Sequence, residues 1–203
     1  MMRAWPLAIG LLLLAWLWLG PLAGMARRAF SPHMILHLGV MVVAAPLIVI
    51  GLLRLFPETR APRQPMLAGL AASALDFAVV WGWHAPALHE AAARWDRVFA
   101  LQQLSFLMAG FVLWWICLAA RDGKARAAGA LAMLFTSMHM AMLGVLLVLA
   151  PALLYAPQFC LGAFGLDPLA DQQLGGGLMA LFGALPFVVG GAFIALRLAA
   201  AEA

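Results

Sequence analysis

The chain has 203 residues, 67% of them hydrophobic and 10% charged, with a mean hydropathy of +1.03, which excludes a water-soluble globule of ordinary kind. Its net charge of +4 is too small and too scattered for a nucleic-acid surface. Two cysteines, with no C-x-x-C or C-x-x-C-H motif, exclude a disulfide framework, a zinc ribbon and covalently attached haem, leaving an integral membrane protein surrounded by lipid.

A helix that crosses a hydrocarbon core of about 30 Å needs about 20 apolar residues. The sequence offers about six such stretches, at roughly residues 4–26, 32–53, 65–83, 98–120, 127–149 and 173–196. The expected fold is therefore an all-α, polytopic transmembrane helix bundle forming one domain over residues 1–203. The first stretch follows Met1, Met2 and Arg3, the layout of a signal peptide or of a first span. Its apolar run, including Leu11 to Leu14 and Trp16 to Leu19, is longer than the roughly 7 to 15 residues of a signal core, so a retained helix is expected.

The second stretch, SPHMILHLGVMVVAAPLIVI, opens with Ser31 as the expected N-cap and Pro32 at the first helical position. His33 and His37 then share one helix face, which Met41 continues, with Met34 beside His33. Imidazole and thioether together suit a soft or borderline metal such as copper. The plainer alternative is that these histidines only hydrogen-bond to neighbouring helices. The third stretch carries Asp76, and an ionised carboxylate at the bilayer centre costs roughly 3 kcal/mol, so Asp76 should face protein or metal rather than lipid.

After it comes WGWHAPALHEAAARWDR, with Trp81, Trp83 and Trp95 suited to the membrane interface and a short helix expected over Pro86 to Arg94. His84 ends the span, and His89 reads as a solvated residue. The fourth stretch begins with Gln102 and Gln103. The fifth contains SMHMAM, with His139 between Met138 and Met140, although methionines in such a span fill gaps in the apolar core more often than they bind metal. A long uncharged loop then leads to Asp171, which is expected to cap the sixth helix or join the metal ligands. Gly175, Gly176 and Gly177 should let another backbone approach closely.

With six spans, one side of the membrane holds Arg3, Arg54, Arg60, Arg63, Arg121, Lys124, Arg126 and Arg197, and the other only Arg27, Arg28, Arg94 and Arg97. The positive-inside bias places both termini in the cytoplasm. His33, His37, His84, His89, Gln102, Gln103 and Asp171 then all fall at the outer ends of their helices, as the mouth of a polar funnel deepening toward Asp76, Met138, His139 and Met140. Cys117 and Cys160 fall on opposite sides and should not pair, and an impermeant thiol reagent outside should label Cys160 alone.

These motifs resemble the polytopic CtaG family of cytochrome c oxidase assembly factors, associated with caa(3)-type oxidases. The matching pieces are HMILHLGVMVVAAPLIVIG from His33, WHAPALHEAA from Trp83, QLSFLMAGFVLWW from Gln103, MHMAMLGVLLVLAPALLY from Met138 and DQQLGG from Asp171. They occur in the family's order and cover most of the chain beyond residue 30. The resemblance implies a membrane protein that assists assembly of a haem–copper oxidase, with copper insertion at the catalytic subunit. By position, His33, Met34, His37, His84 and Asp171 match the family's polar motif residues. Where the family's fourth helix begins with H-x-L-E-H, this chain has Phe99, Gln102 and Gln103.

The leading expectation is a non-catalytic metallochaperone of the bacterial inner membrane. His33, His37 and His84, assisted by Met34 or Met41, would hold Cu(I) transiently near the outer face, take it from a periplasmic copper donor and pass it to the oxidase. A b-type haem cytochrome with two axial histidines and a metal-free scaffold are the alternatives. A transporter would need a polar path through an inner half that is apolar, and no nucleophile–base pair or phosphate loop points to an enzyme.

Overall fold

The computed structural model describes residues 4–59 and 62–202; Arg3 and Arg60, which enter the charge balance above, lie outside the described residues. Among the described residues there are eight helices and no strand, and the helices form a bundle. We label them α1 (Trp5–Leu19), α2 (Pro21–Ala26), α3 (Phe30–Leu55), α4 (Pro65–His84), α5 (Pro86–Arg94), α6 (Asp96–Leu118), α7 (Gly123–Leu149) and α8 (Pro168–Ala200). Five of them, α3, α4, α6, α7 and α8, are long and apolar enough to cross a membrane.

The expected first span is broken. Gly20 is extended (φ −82°, ψ 178°) because the residue before a proline is driven out of the helical region, and Pro21 starts a new helix. That leaves α1 with 15 residues, an apolar helix shorter than the five long ones, packed along the C-terminal half of α3. The short helix Pro86–Arg94 stands where the sequence placed it.

α3 is the central element, with 61% of its most apolar window buried, and it packs against α1, α2, α6 and α8. It carries a π-helical turn over Gly39–Ala44, and α8 carries another over Met179–Gly183. Both precede a proline inside the helix, Pro46 and Pro186. A proline ring clashes with the carbonyl four residues back, and a wider turn relieves that clash without ending the helix. The Trp114 indole N–H donates to the Met41 carbonyl inside the first wide turn, at 3.0 Å.

The α7–α8 crossing rests on glycine. A Cβ on Gly144 would stand 2.4 Å from the Ala180 backbone nitrogen, and one on Gly176 would stand 2.8 Å from the Gly144 carbonyl oxygen. Gly175 makes room for the Phe30 ring, whereas Gly177 meets nothing within 4 Å, so two of the three consecutive glycines serve close approach. This crossing seats the start of α8 beside the head of α3.

Candidate functional site

The head of α3 is held from another helix. Ser31 is not the N-cap: α3 begins at Phe30, and the carboxylate that meets its first free N–H groups belongs to Asp171 of α8. Asp171 Oδ2 accepts from the Phe30 N–H at 2.6 Å and the Ser31 N–H at 3.3 Å, and Oδ1 accepts from the Ser31 hydroxyl. The expected capping of α8 itself falls instead to Asp167, whose Oδ1 accepts from Leu169 and Ala170 N–H groups at 3.0 Å. A negative group at an N-terminus is favoured by the unpaired N–H donors and the helix dipole.

One turn in from this cap, four histidines gather. The rings of His33 and His37 lie parallel, 6.3 Å apart. His84, at the end of α4, lies 5.5 Å from His33 and 5.3 Å from His37. His89, on α5, comes closest, 4.7 Å from His33. Phe106 walls the cluster at 4.2 Å from His37, and Phe30 stands 5.5 Å from His89.

All four histidines are buried, yet most of their ring nitrogens are unused. His33 Nε2, both nitrogens of His37, His84 Nε2 and His89 Nδ1 have no hydrogen-bond partner. His84 Nδ1 lies 2.6 Å from the Val80 carbonyl, which can only accept, so Nδ1 carries the proton and Nε2 keeps its lone pair. Burial, with His84 alongside, pushes His89 down to about 3, so its ring is neutral at any physiological pH. Each neutral imidazole keeps one nitrogen with a free lone pair, which can ligate a metal, accept a hydrogen bond or take up a proton. Among the described residues, however, no three His, Cys, Asp or Glu side chains already converge on one point as a metal would require. Imidazole nitrogens are a donor type that copper accepts, but these rings would have to turn to share an ion.

A strap closes the site. Between α7 and α8 the Tyr155 hydroxyl donates to the His84 carbonyl at 3.0 Å, and its ring lies 4.8 Å from Phe30 and 4.5 Å from His89. The Ala156 N–H donates to Glu90 at 2.9 Å, the Leu154 N–H to Gln172 at 2.8 Å and the Leu161 N–H to the Arg28 carbonyl at 2.8 Å. Cys160, on the same strap, is fully buried.

The other sequence-designated residues divide into separate places. Met34 and Met41 are fully buried, but Met34 packs toward Gly175 on α8 and the backbone of Met41 lies against α6 at Gly110. Asp76 and His139 form a second, deeper pair, with His139 Nε2 3.2 Å from Asp76 Oδ2 at an angle that makes no well-formed hydrogen bond. Beside them the Ser73 and Thr136 hydroxyls pair at 3.0 Å. Asp76 is thus turned into protein, and it lies eight residues below His84, or about 12 Å along the helix. Met138 faces outward at 58% exposure, lining an apolar groove of ≈ 890 Å³ between α4 and α7, while Met140 is buried toward Gly183 of α8. The expected continuous funnel is two separate polar centres.

Sequence reasoning missed His89 and Tyr155. His89 reads as solvated, but it and Ala92 are the buried positions of α5, three apart on one face. That face, drawn on the predicted Pro86–Arg94 helix, was the available signal. Trp83, assigned to the interface, is instead buried and donates to Ser105 at 2.7 Å. Gln102 and Gln103 are buried and bonded to each other at 3.3 Å.

The profile of one family, described as cytochrome c oxidase caa3 assembly factor (Caa3_CtaG), matches residues 1–201 of the chain. No curated protein and no solved structure matches it.

Proposed function

The chain belongs to the cytochrome c oxidase caa3 assembly factors, and on that premise we propose that it binds copper at the histidine end of the bundle and delivers it to the oxidase catalytic subunit. The observation that carries this reading is the burial, in one place, of His33, His37, His84 and His89 with five unpartnered ring nitrogens. Leaving polar atoms buried without partners costs free energy, and such groups at membrane depth are retained where they bind something. Copper is cargo here, not a resident cofactor. Neutral imidazole nitrogens are donors that copper accepts, Cu(I) included.

Counted with α1 and α2 together as one crossing alongside α3, the positive-inside bias supports a cytoplasmic location for both termini, so that in a bacterial inner membrane the histidine end opens outward, where a periplasmic copper donor would reach it. The Tyr155 strap covers that end, so loading and release require it to move away from His84 and His89. The role of the chain is binding and release, with no catalytic step. In cells, His33→Ala with His37→Ala should leave the protein inserted but lower the copper content and activity of the oxidase. Full oxidase copper in that double variant would overturn the reading.

The lack of three convergent ligands among the described residues favours one other reading, a metal-free assembly scaffold in which the rings only pack against Phe30, Phe106 and one another. A double variant that assembles copper-replete oxidase would support it.

A further inference from the structure

Two carboxylates are wholly buried among the described residues, Asp76 and Asp171. Asp76 has an imidazole beside it. Asp171 has no ion-pair partner among the described residues; its oxygens are met only by the Phe30 and Ser31 N–H groups and the Ser31 hydroxyl. A buried anion without a counter-ion is costly, and the positive end of one helix, worth about half a charge, offsets only part of that cost. Two residues further along the same helix, about 3 Å in axial rise, stands His33, the member of the cluster that touches both His84 and His89. The cluster itself carries no charge of its own when its rings are neutral.

We propose that Asp171 is the positioning residue and buried counter-charge of the histidine cluster: it fixes the head of α3 that carries His33, and its negative charge matches a monovalent cation held among the rings. The inference rests on the copper reading and adds to it a preference for charge +1, since one carboxylate with one Cu(I) makes an electrically neutral buried site. Both Asp171 oxygens are taken up by α3, so its effect on the ion passes through the field and through the placement of His33 rather than through a bond. This also gives α8 a part in the site, with the Gly175 and Gly176 approach setting the distance from which Asp171 reaches α3.

The test is Cu(I) affinity of the full-length protein in mild detergent, by competition with a chromogenic chelator, together with melting of the copper-free protein. Asp171→Asn keeps an accepting oxygen for the α3 head and removes the charge. Coulomb attraction between unit charges in a partly screened protein site leads us to expect about tenfold weaker Cu(I) binding, with a melting point for the copper-free protein no lower than wild type. Ser31→Ala, which keeps the charge, should bind within about twofold of wild type. Lower melting of Asp171→Asn with unchanged Cu(I) affinity would mean a cap alone and overturn the counter-charge. Wild-type affinity in Asp171→Asn alongside loss in His33→Ala, His37→Ala overturns this inference and keeps the copper reading. No Cu(I) uptake by wild type overturns both.

Discussion

Substitution at Gly144 should separate the helices that carry the site, and the size of the effect follows from the backbone. A Cβ at Gly144 would lie 2.4 Å from the Ala180 nitrogen and 2.7 Å from the Gly176 carbonyl oxygen, where ordinary contact begins at 3.4 Å. In Gly144→Ala, α7 and α8 must therefore part by roughly 1 Å against backbone atoms that cannot rotate away, an overpacking cost of about 1–3 kcal/mol. Gly177→Ala is the matched control, since nothing lies within 4 Å of its Cβ position. There the same change removes only the conformational freedom of a helical glycine and should stabilise by about 0.5–1 kcal/mol. Thermal unfolding in one detergent, read by tryptophan fluorescence, should place the two variants on opposite sides of wild type. Gly144→Ala melting at or above wild type would refute the close α7–α8 crossing, and with it the route by which Asp171 reaches α3.

The strap, the thiols and the buried imidazole make three further predictions. Tyr155→Phe keeps the stacking on Phe30 but loses the bond to the His84 carbonyl, and should destabilise by about 1 kcal/mol in the same assay, with a larger loss in Tyr155→Ala. Cys117 and Cys160 are both buried, and burial, reinforced by Asp171, pushes the Cys160 thiol up to about 12. An impermeant maleimide at pH 7.5 should therefore label neither cysteine until the protein is unfolded, in place of the sequence expectation that Cys160 alone reacts. His89 is neutral in the folded protein down to about pH 3, whereas in the unfolded chain it takes up a proton near its ordinary value of 6.5. Protons thus favour the unfolded state below pH 6.5, and this one ring should contribute a fall in stability of roughly 2 kcal/mol between pH 6.5 and 5, its contribution levelling off near pH 3. His89→Leu should make the slope shallower by that amount; an unchanged slope would refute the neutral, buried ring.

The helical membrane fold was legible because it depends on long apolar runs, and these were placed to within a few residues for α3, α4, α6 and α7. The break at Gly20 depends on the Gly–Pro pair, which hydropathy averages away. His33, His37 and His84 could be grouped from their shared place at helix ends. His89 was legible only as a position on the Ala92 face of α5; that it joins the cluster comes from α5 folding back under Tyr155, a contact 66 residues away in sequence. Asp171 was legible as a cap but not as the cap of a helix 140 residues earlier, since local sequence shows the donors of its own helix only. The split of Met138 from Met140 likewise reflects which neighbours α7 acquires, not the SMHMAM motif itself.

Copper per chain, measured after purification in mild detergent and exposure to Cu(I) against a competing chelator, tests the central claim most directly. Wild type should retain about one copper, and the His33→Ala, His37→Ala protein should retain none while keeping its helical content. Equal copper in the two proteins, or none in wild type, would contradict a copper site among His33, His37, His84 and His89.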